Sequence, residues 1–370
     1  MELLRIFLII VVLLIFIKVL HTLLKDRQTI QKEGFDEDKD EAKNEKSVTD
    51  KIKDMLGIGP PITISNMNPK TKGLPLREYC IKASYNSAYS GSTISTKMIR
   101  YVLSRGCRFL DLQVHYSKDD GIAYVAHITD SKLTEMASKN KVPLDTIFNF
   151  ISANAFMGSQ GSDGCPNPSD PLFIHLRIIP DENMLVYQTV SECINKNFSS
   201  KNRVLNADGN AKKIDMYTRM NDRIMGKTMF LIDKSDMPEY AFFSQKFANL
   251  MNGETNGSTF EMRNYSKMDK KDISSPIIND DYKTTNIIKQ QIVIPDILER
   301  HSPPSIINMV VNYGVQITMY SFYKSSDQLL QCEDFFNKQK SAIVLMARSI
   351  NTLDKTKTDL EGKTLSLGPQ

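Results

Sequence analysis

Two short segments constrain the fold of this chain more than any other feature. In Cys107–His115, Leu110, Leu112 and Val114 share one face, while Phe109, Asp111, Gln113 and His115 share the other. In Pro171–Ile178, Leu172, Ile174 and Leu176 oppose Phe173, His175 and Arg177. A period of two is the signature of a β-strand, and both segments set polar or ionisable groups against a wholly aliphatic face. Two architectures give that pattern: an antiparallel sheet with one wet face, or a barrel with helices outside and polar groups gathered in its mouth.

The spacing of the remaining elements favours the barrel. Further strands are expected at Ile81–Ser84, Ala123–His127, Met229–Asp233, Ile292–Ile294, Val315–Tyr323 and Ala342–Met346, with helical stretches between them. One such stretch is Ser95–Arg105, where Ser95 is the expected N-cap and Gly106 the stop. That rhythm suits an α/β fold of the TIM-type (β/α) barrel, whose functional residues gather at the C-terminal ends of the strands.

Outside the barrel, the N-terminus carries the clearest signal. Ile6–Ile17 is an unbroken apolar run, continued by Val19, Leu20, Leu23 and Leu24 around Lys18 and His21. About 20 apolar residues span a bilayer, so residues 1–25 are read as a single transmembrane anchor, with Lys18 snorkelling to one interface. No small-residue cleavage site follows; the next residues are Lys25, Asp26 and Arg27. Lys25, Arg27 and Lys32 outnumber Arg5 on the other flank, which places the bulk of the chain on the cytoplasmic side. The triplets beginning at Asn197, Asn256 and Asn264 are glycosylation sequons relevant only to the opposite orientation. Residues 26–75 read as a linker, charged over 28–54 and Gly/Pro-rich over Gly57–Pro75. The barrel is assigned to 76–349, and the Lys- and Thr-rich residues 350–370 to a loose tail.

Composition excludes several functions. A net charge of +4, with Lys and Arg spread along the chain, gives no stripe for nucleic acid. Five cysteines without a CxxC pair give neither a disulfide framework nor a zinc site.

The stretch from residue 81 to 128 carries a more specific order of residues. A strand ends in Ser84-Tyr85-Asn86, a helix follows, Gly106-Cys107-Arg108 opens the next strand with Asp111 and Gln113, and a short loop delivers His127. Pro171–Arg177 and Arg223–Leu231 (Arg-Ile-Met-Gly-Lys-Thr-Met-Phe-Leu) continue the series. This order resembles the X region of phosphatidylinositol-specific phospholipases C, over roughly residues 76–236. There it reads Ser-His-Asn-Thr, Gly-Cys-Arg-x-x-Glu-x-Asp and Tyr-His-Gly, followed by strands of the Pro-(apolar)-Ser-Leu-Glu and Leu-x-Gly-Lys-(apolar) type.

The resemblance implies a barrel of the phospholipase C-like phosphodiesterase kind and a site built on two histidines. One assists attack by the inositol 2-hydroxyl, and the other protonates the leaving diacylglycerol oxygen. Eukaryotic members hold calcium with an Asn, a Glu, an Asp and a further Glu; bacterial members put an Arg in the metal's place. Carried onto this chain, the first histidine falls on Tyr85, and the second on His127. The calcium-ligand positions fall on Asn86, Asp111 and Gln113, and the third acidic ligand falls on Arg177. Tyrosine is a weak base at neutral pH, Gln113 brings no charge to a cation, and Arg177 repels one.

Two readings follow. In the favoured one the barrel is a catalytically degenerate, membrane-tethered binding module, with a phosphoinositide headgroup held near Arg177 and Lys227. In the other it is an active phosphoric diester hydrolase: His127 as acid, His115 or His175 as substitute base, and Arg177 on the phosphate. An active site requires Asn86, Asp111, His127 and Arg177 to converge on a pocket that admits a phosphate. A lost one is expected to have its mouth filled by Tyr85, Phe109 or the Gly/Ser/Pro-rich insertion Gly158–Pro171, itself read first as a disordered surface loop and second as a lid.

Overall fold

The computed structural model describes residues 48–55, 57–129, 136–158, 164–207, 210–268 and 289–366. The apolar run at 3–24 lies outside the described residues; no helix among those described is long and apolar enough to cross a membrane.

Eight parallel strands close into a barrel: β1 (Ala83–Ser84), β2 (Phe109–Ser117), β3 (Leu172–Ile178), β4 (Thr228–Asp233), β5 (Gly253–Thr255), β6 (Phe260–Asn264), β7 (Gln290–Ile294) and β8 (Ile317–Tyr320). Each pairs in parallel with the next, and Met319 and Tyr320 of β8 pair with Ala83 and Ser84 of β1 to close the ring. The major helices are α1 (Thr96–Ser104), α2 (Leu144–Asn154), α3 (Leu185–Asn197), α4 (Asp327–Gln339) and α5 (Met346–Ser366).

Alternation along the strands sorts side chains between two cores. Leu110, Leu112, Val114, Ile174, Phe230 and Ile232 face outward and pack with helix residues such as Val102, Phe148 and Val190. Phe109, Phe173, Leu231, Ile292 and Met319 face inward and fill the barrel's base. The aliphatic faces read from Cys107–His115 and Pro171–Ile178 are therefore the helix-facing ones. Helix α1 forms where expected: Ser95 Oγ accepts from the Lys97 N–H at 3.1 Å, and Gly106 ends the turn at φ +80°. Gly106 also allows close approach, because a Cβ there would lie 2.9 Å from Ile64 Cδ1.

Several strand assignments change in the folded chain. Tyr79–Ile81 pairs antiparallel with Ile343–Leu345 outside the barrel, so only Ala83–Ser84 of the expected first strand enters the ring. Ile122–Val125 folds back antiparallel on the far end of β2. Strands β5 and β6 take the two remaining places. They are short, and Gly253, Glu254 and Arg263 hide the alternation that identifies the others.

The described parts of both boundary segments are more ordered than their composition suggests. The compact body begins at Lys51, and Ile64 and Met67 are buried in it. The segment assigned to a loose tail instead continues helix α5 to Ser366. The described part of the insertion, Gly158 and residues 164–171, lies at the barrel's base: Arg108 donates to Ala155 O and to Asn167 Oδ1, and Asp170 accepts the Met67 N–H. That part is a structural tie at the N-terminal end, away from any lid position.

Candidate functional site

At the C-terminal end of the barrel, β1, β2 and β3 deliver a buried polar network. Strand register places Asp111 opposite His175 and Gln113 opposite Arg177, all on the inner face. Arg177 reaches back along the barrel to Asp111. Its Nε lies 3.0 Å from Oδ1, and a terminal nitrogen lies 2.8 Å from Oδ2. A second charge-assisted bond runs from Arg177 to Asn86 Oδ1. His175 Nδ1 is 2.8 Å from Asp111 Oδ1, and its Nε2 is 3.1 Å from Thr255 Oγ1.

Asn86 is held in the left-handed region at φ +43°, a conformation asparagine adopts more readily than most residues. Its backbone N–H donates to Asp111 Oδ2 at 3.0 Å, which fixes the turn leaving β1. Because arginine only donates, Asn86 Oδ1 must be the acceptor facing Arg177. Its Nδ2 then donates to His127 Nδ1 at 2.8 Å, so neutral His127 carries its proton on Nε2. That nitrogen lies 3.7 Å from Glu299 Oε1, beyond hydrogen-bond reach.

Burial sets the protonation of each group. It pushes the Asp111 carboxyl up, but Arg177 and the His175 hydrogen bond outweigh it and hold the group well below the usual carboxylate range. Burial, reinforced by Arg177, lowers His127 to about 4 and His115 to about 4. Both imidazoles are therefore neutral at pH 7. Burial drives the Tyr85 phenol up to about 12 against the pull of Arg177. Tyr85 thus occupies the first histidine's position as a neutral phenol, with the Arg177 guanidinium 4.6 Å above its ring.

The four residues expected to converge do so: Asn86, Asp111, His127 and Arg177 form one connected network. The network is closed off from solvent, with all four side chains buried. His127 is only 3% exposed, with the Tyr89 ring centroid 4.3 Å away and Tyr323 at 6.5 Å. Tyr323 donates its hydroxyl proton to Glu299, which sits at φ +45° and whose carboxyl burial pushes up. Tyr85, Tyr89 and Tyr323 therefore fill the mouth. Phe109, named for that role, stacks on Phe173 at 5.8 Å in the base core.

The histidines offered as substitute bases differ. His175 has both ring nitrogens engaged. His115 stacks on Tyr124 at 5.6 Å and leaves Nε2 buried without a partner. Gln113 spends Oε1 on the Ile128 N–H at 2.8 Å and leaves Nε2 unpartnered. Lys227 lies immediately before β4, at the opposite end from Arg177, so the two cannot share one headgroup in the mouth.

The network does not fit calcium. The Asn86 and Asp111 side-chain oxygens that would ligate it already accept from Arg177, and Gln113 Oε1 is taken by backbone. No cluster of three His, Cys, Asp or Glu side chains suited to a metal occurs among the described residues. The guanidinium is the site's own cation.

Tyr89, Thr255, Glu299 and Tyr323 were not anticipated. Thr255 ends β5, and Glu299 follows β7, so both lie where barrel geometry concentrates functional residues. For Thr255 the signal was lost with the unread strand; for Glu299 it was available in the loop after Ile292–Ile294.

Residues 73–177 match the family model of the phosphatidylinositol-specific phospholipase C X domain. A search of curated proteins finds no match. Among solved structures, PLC21 from L. pealei and PLC21 from S. officinalis each superpose with a TM-score of 0.56 at 15% identity. Each match covers 78% of this chain and 39% of the other, so this chain spans well under half the length of those proteins. A Ca2+-dependent phosphatidylinositol-specific phospholipase C from Streptomyces antibioticus matches at 9% identity and a TM-score of 0.43, covering 74% of this chain and 99% of that one.

Proposed function

We propose, from a phosphatidylinositol-specific phospholipase C X domain over residues 73–177 set in a barrel of that fold, that this chain is a catalytically degenerate member of the phospholipase C-like phosphodiesterases. In this reading it acts as a binding module at a membrane surface. One observation carries the loss of catalysis: Arg177 sits on the oxygens of Asn86 and Asp111 that a metal would take. Its charge is balanced by Asp111 before any phosphate arrives. Tyr85 supports the same conclusion, since a neutral buried phenol cannot accept a proton from an attacking hydroxyl at pH 7.

Membrane attachment rests on the apolar run at 3–24, and a cytoplasmic barrel on the flanking Lys25, Arg27 and Lys32. A phosphoinositide headgroup remains the proposed ligand class, although the occupied mouth gives it no obvious seat there.

The alternative is a hydrolase re-wired around His127 and His115. It draws on the unpartnered Nε2 of His115 and on the 3.7 Å gap between His127 Nε2 and Glu299. One assay separates the readings: hydrolysis of phosphatidylinositol and its phosphorylated forms by the full chain in mixed micelles, with calcium and with chelator. The degenerate reading expects no turnover above buffer. Turnover abolished by His127→Ala and by His115→Ala would establish the re-wired pair instead.

A further inference from the structure

The base of the barrel carries a cationic cavity that the X-domain reading does not use. The segment between α3 and β4 crosses this end of the molecule, and from Lys201 to Lys227 it holds seven basic residues against three acidic ones. Its apolar members anchor it: Leu205, Met220 and Ile224 are buried in the core that fills the barrel's base. Asn252 tightens the attachment, with its Nδ2 donating to Leu205 O and Lys212 O, each at 2.8 Å.

That anchoring leaves a cavity of about 200 Å3. Leu205 and Ile224 are its apolar lining, and Lys212, Arg219 and Arg223 its cations. Thr218 and Asn221 add neutral polar groups, and no carboxylate among the described residues lines it. Two described acids of the same segment have other partners: Asp215 accepts from the Tyr217 N–H and the Thr218 hydroxyl, and Asp222 lies 3.7 Å from Lys72. Arg219 donates to Gly73 O at 2.7 Å, which fixes its direction. Among the described residues, Lys212 and Arg223 have no acidic partner. Outside the cavity, Lys227 donates to Asn202 Oδ1 at 2.9 Å and extends the positive surface.

Three like charges lining one solvent-open concavity raise its positive potential, which favours an anion there. Guanidinium groups match the tetrahedral oxygens of a phosphate, and lysine supplies a mobile point charge. An apolar floor beneath them accepts the carbon skeleton to which a phosphate is attached.

We infer that the cavity framed by Lys212, Arg219 and Arg223 at the base of the barrel is a binding site for a phosphorylated ligand, in which the cations hold a phosphate and Leu205 and Ile224 hold the attached carbon framework. The site is at the opposite end from the mouth and does not depend on whether the barrel catalyses. A soluble phosphate ester and a phosphorylated lipid headgroup present the same chemistry to it.

The test is titration calorimetry of inorganic phosphate into the full chain in neutral-detergent micelles at moderate salt. Saturable binding is expected. The double variant Lys212→Glu/Arg223→Glu is expected to bind at least tenfold more weakly, whereas Lys212→Arg/Arg223→Lys stays within about threefold of the parent. Both positions are exposed, so thermal midpoints should match the parent. Repeating the titration in micelles doped with phosphatidylinositol 4-phosphate identifies the source. Competition with free phosphate assigns the site to a headgroup, and unchanged phosphate binding assigns it to a soluble ester. Absence of saturable phosphate binding by the parent chain, or equal binding by the charge-reversed variant, overturns the proposal. Neither result bears on hydrolysis, so this test and the assay of the mouth fail separately.

Discussion

Asp111 is the residue on which the mouth network depends. It receives Arg177 in two-pronged fashion, the His175 ring and the Asn86 N–H, so three strand ends meet on one carboxylate. The neighbouring histidines impose a pH dependence whose sign is fixed by burial. His115 and His127 have folded values of about 4, below the ordinary value near 6.5. The unfolded chain therefore takes up their protons first. Their contribution to stability is complete above about pH 6.5 and is lost as pH falls toward 4. Over that window each histidine adds a slope of about 1.4 kcal/mol per pH unit. Urea unfolding at a series of pH values between 6.5 and 5 should show His115→Phe, which keeps the stack on Tyr124, with its slope reduced by that amount. An unchanged slope would mean that His115 is solvated in the folded protein.

At the scale of elements, helix α4 ties the outer ring to the barrel through one acid. Ser326 caps its start, accepting from the Leu329 N–H at 3.1 Å, and Lys340 ends it at φ +54°. In between, Glu333 Oε1 accepts from Arg105 Nε at 2.6 Å and from Lys82 Nζ at 3.3 Å. All three side chains are almost wholly removed from water. Two buried cations sharing one carboxylate tolerate its loss poorly, because each retains its desolvation cost. Glu333→Gln, which preserves volume, should lower the unfolding free energy by about 3–5 kcal/mol in a denaturant titration. A loss under about 1 kcal/mol would show that Lys82 or Arg105 reaches solvent once released.

For the whole molecule, the Arg177 arrangement predicts indifference to calcium. A ligand that binds only the folded state raises the melting temperature with its concentration. With Arg177 on the ligand oxygens, millimolar calcium and a chelator should give thermal midpoints within about 1 °C of each other. A rise of several degrees in calcium would mean that the ion displaces the guanidinium. The closed ring also explains how the molecule separates its two polar ends. Parallel strands send every C-terminus to the mouth, and the segments entering the strands, including Gly226 and Lys227 before β4, to the base.

The sequence by itself determined what depends on local period and chain order. Alternation in Phe109–Ser117 and Leu172–Ile178 gave the inner and outer faces, because side chains on a strand must point to opposite sides. Ser95 and Gly106 marked the ends of α1, because capping is a local hydrogen-bond requirement. The order Tyr85, Asn86, Asp111, Gln113, His127, Arg177 named the residues that gather at the mouth. Tertiary structure decided the rest. Short strands such as Gly253–Thr255 are held by their neighbours: a Cβ on Gly253 would lie 2.8 Å from Leu231 Cδ2, a constraint no local pattern records. Whether Arg177 waits for a phosphate or closes on Asp111 depends on strand register and on the tyrosines packed above it. So does the distance between Arg177 and Lys227, which follow from opposite ends of their strands. A charge declares itself in the sequence, but its partner is chosen by the fold.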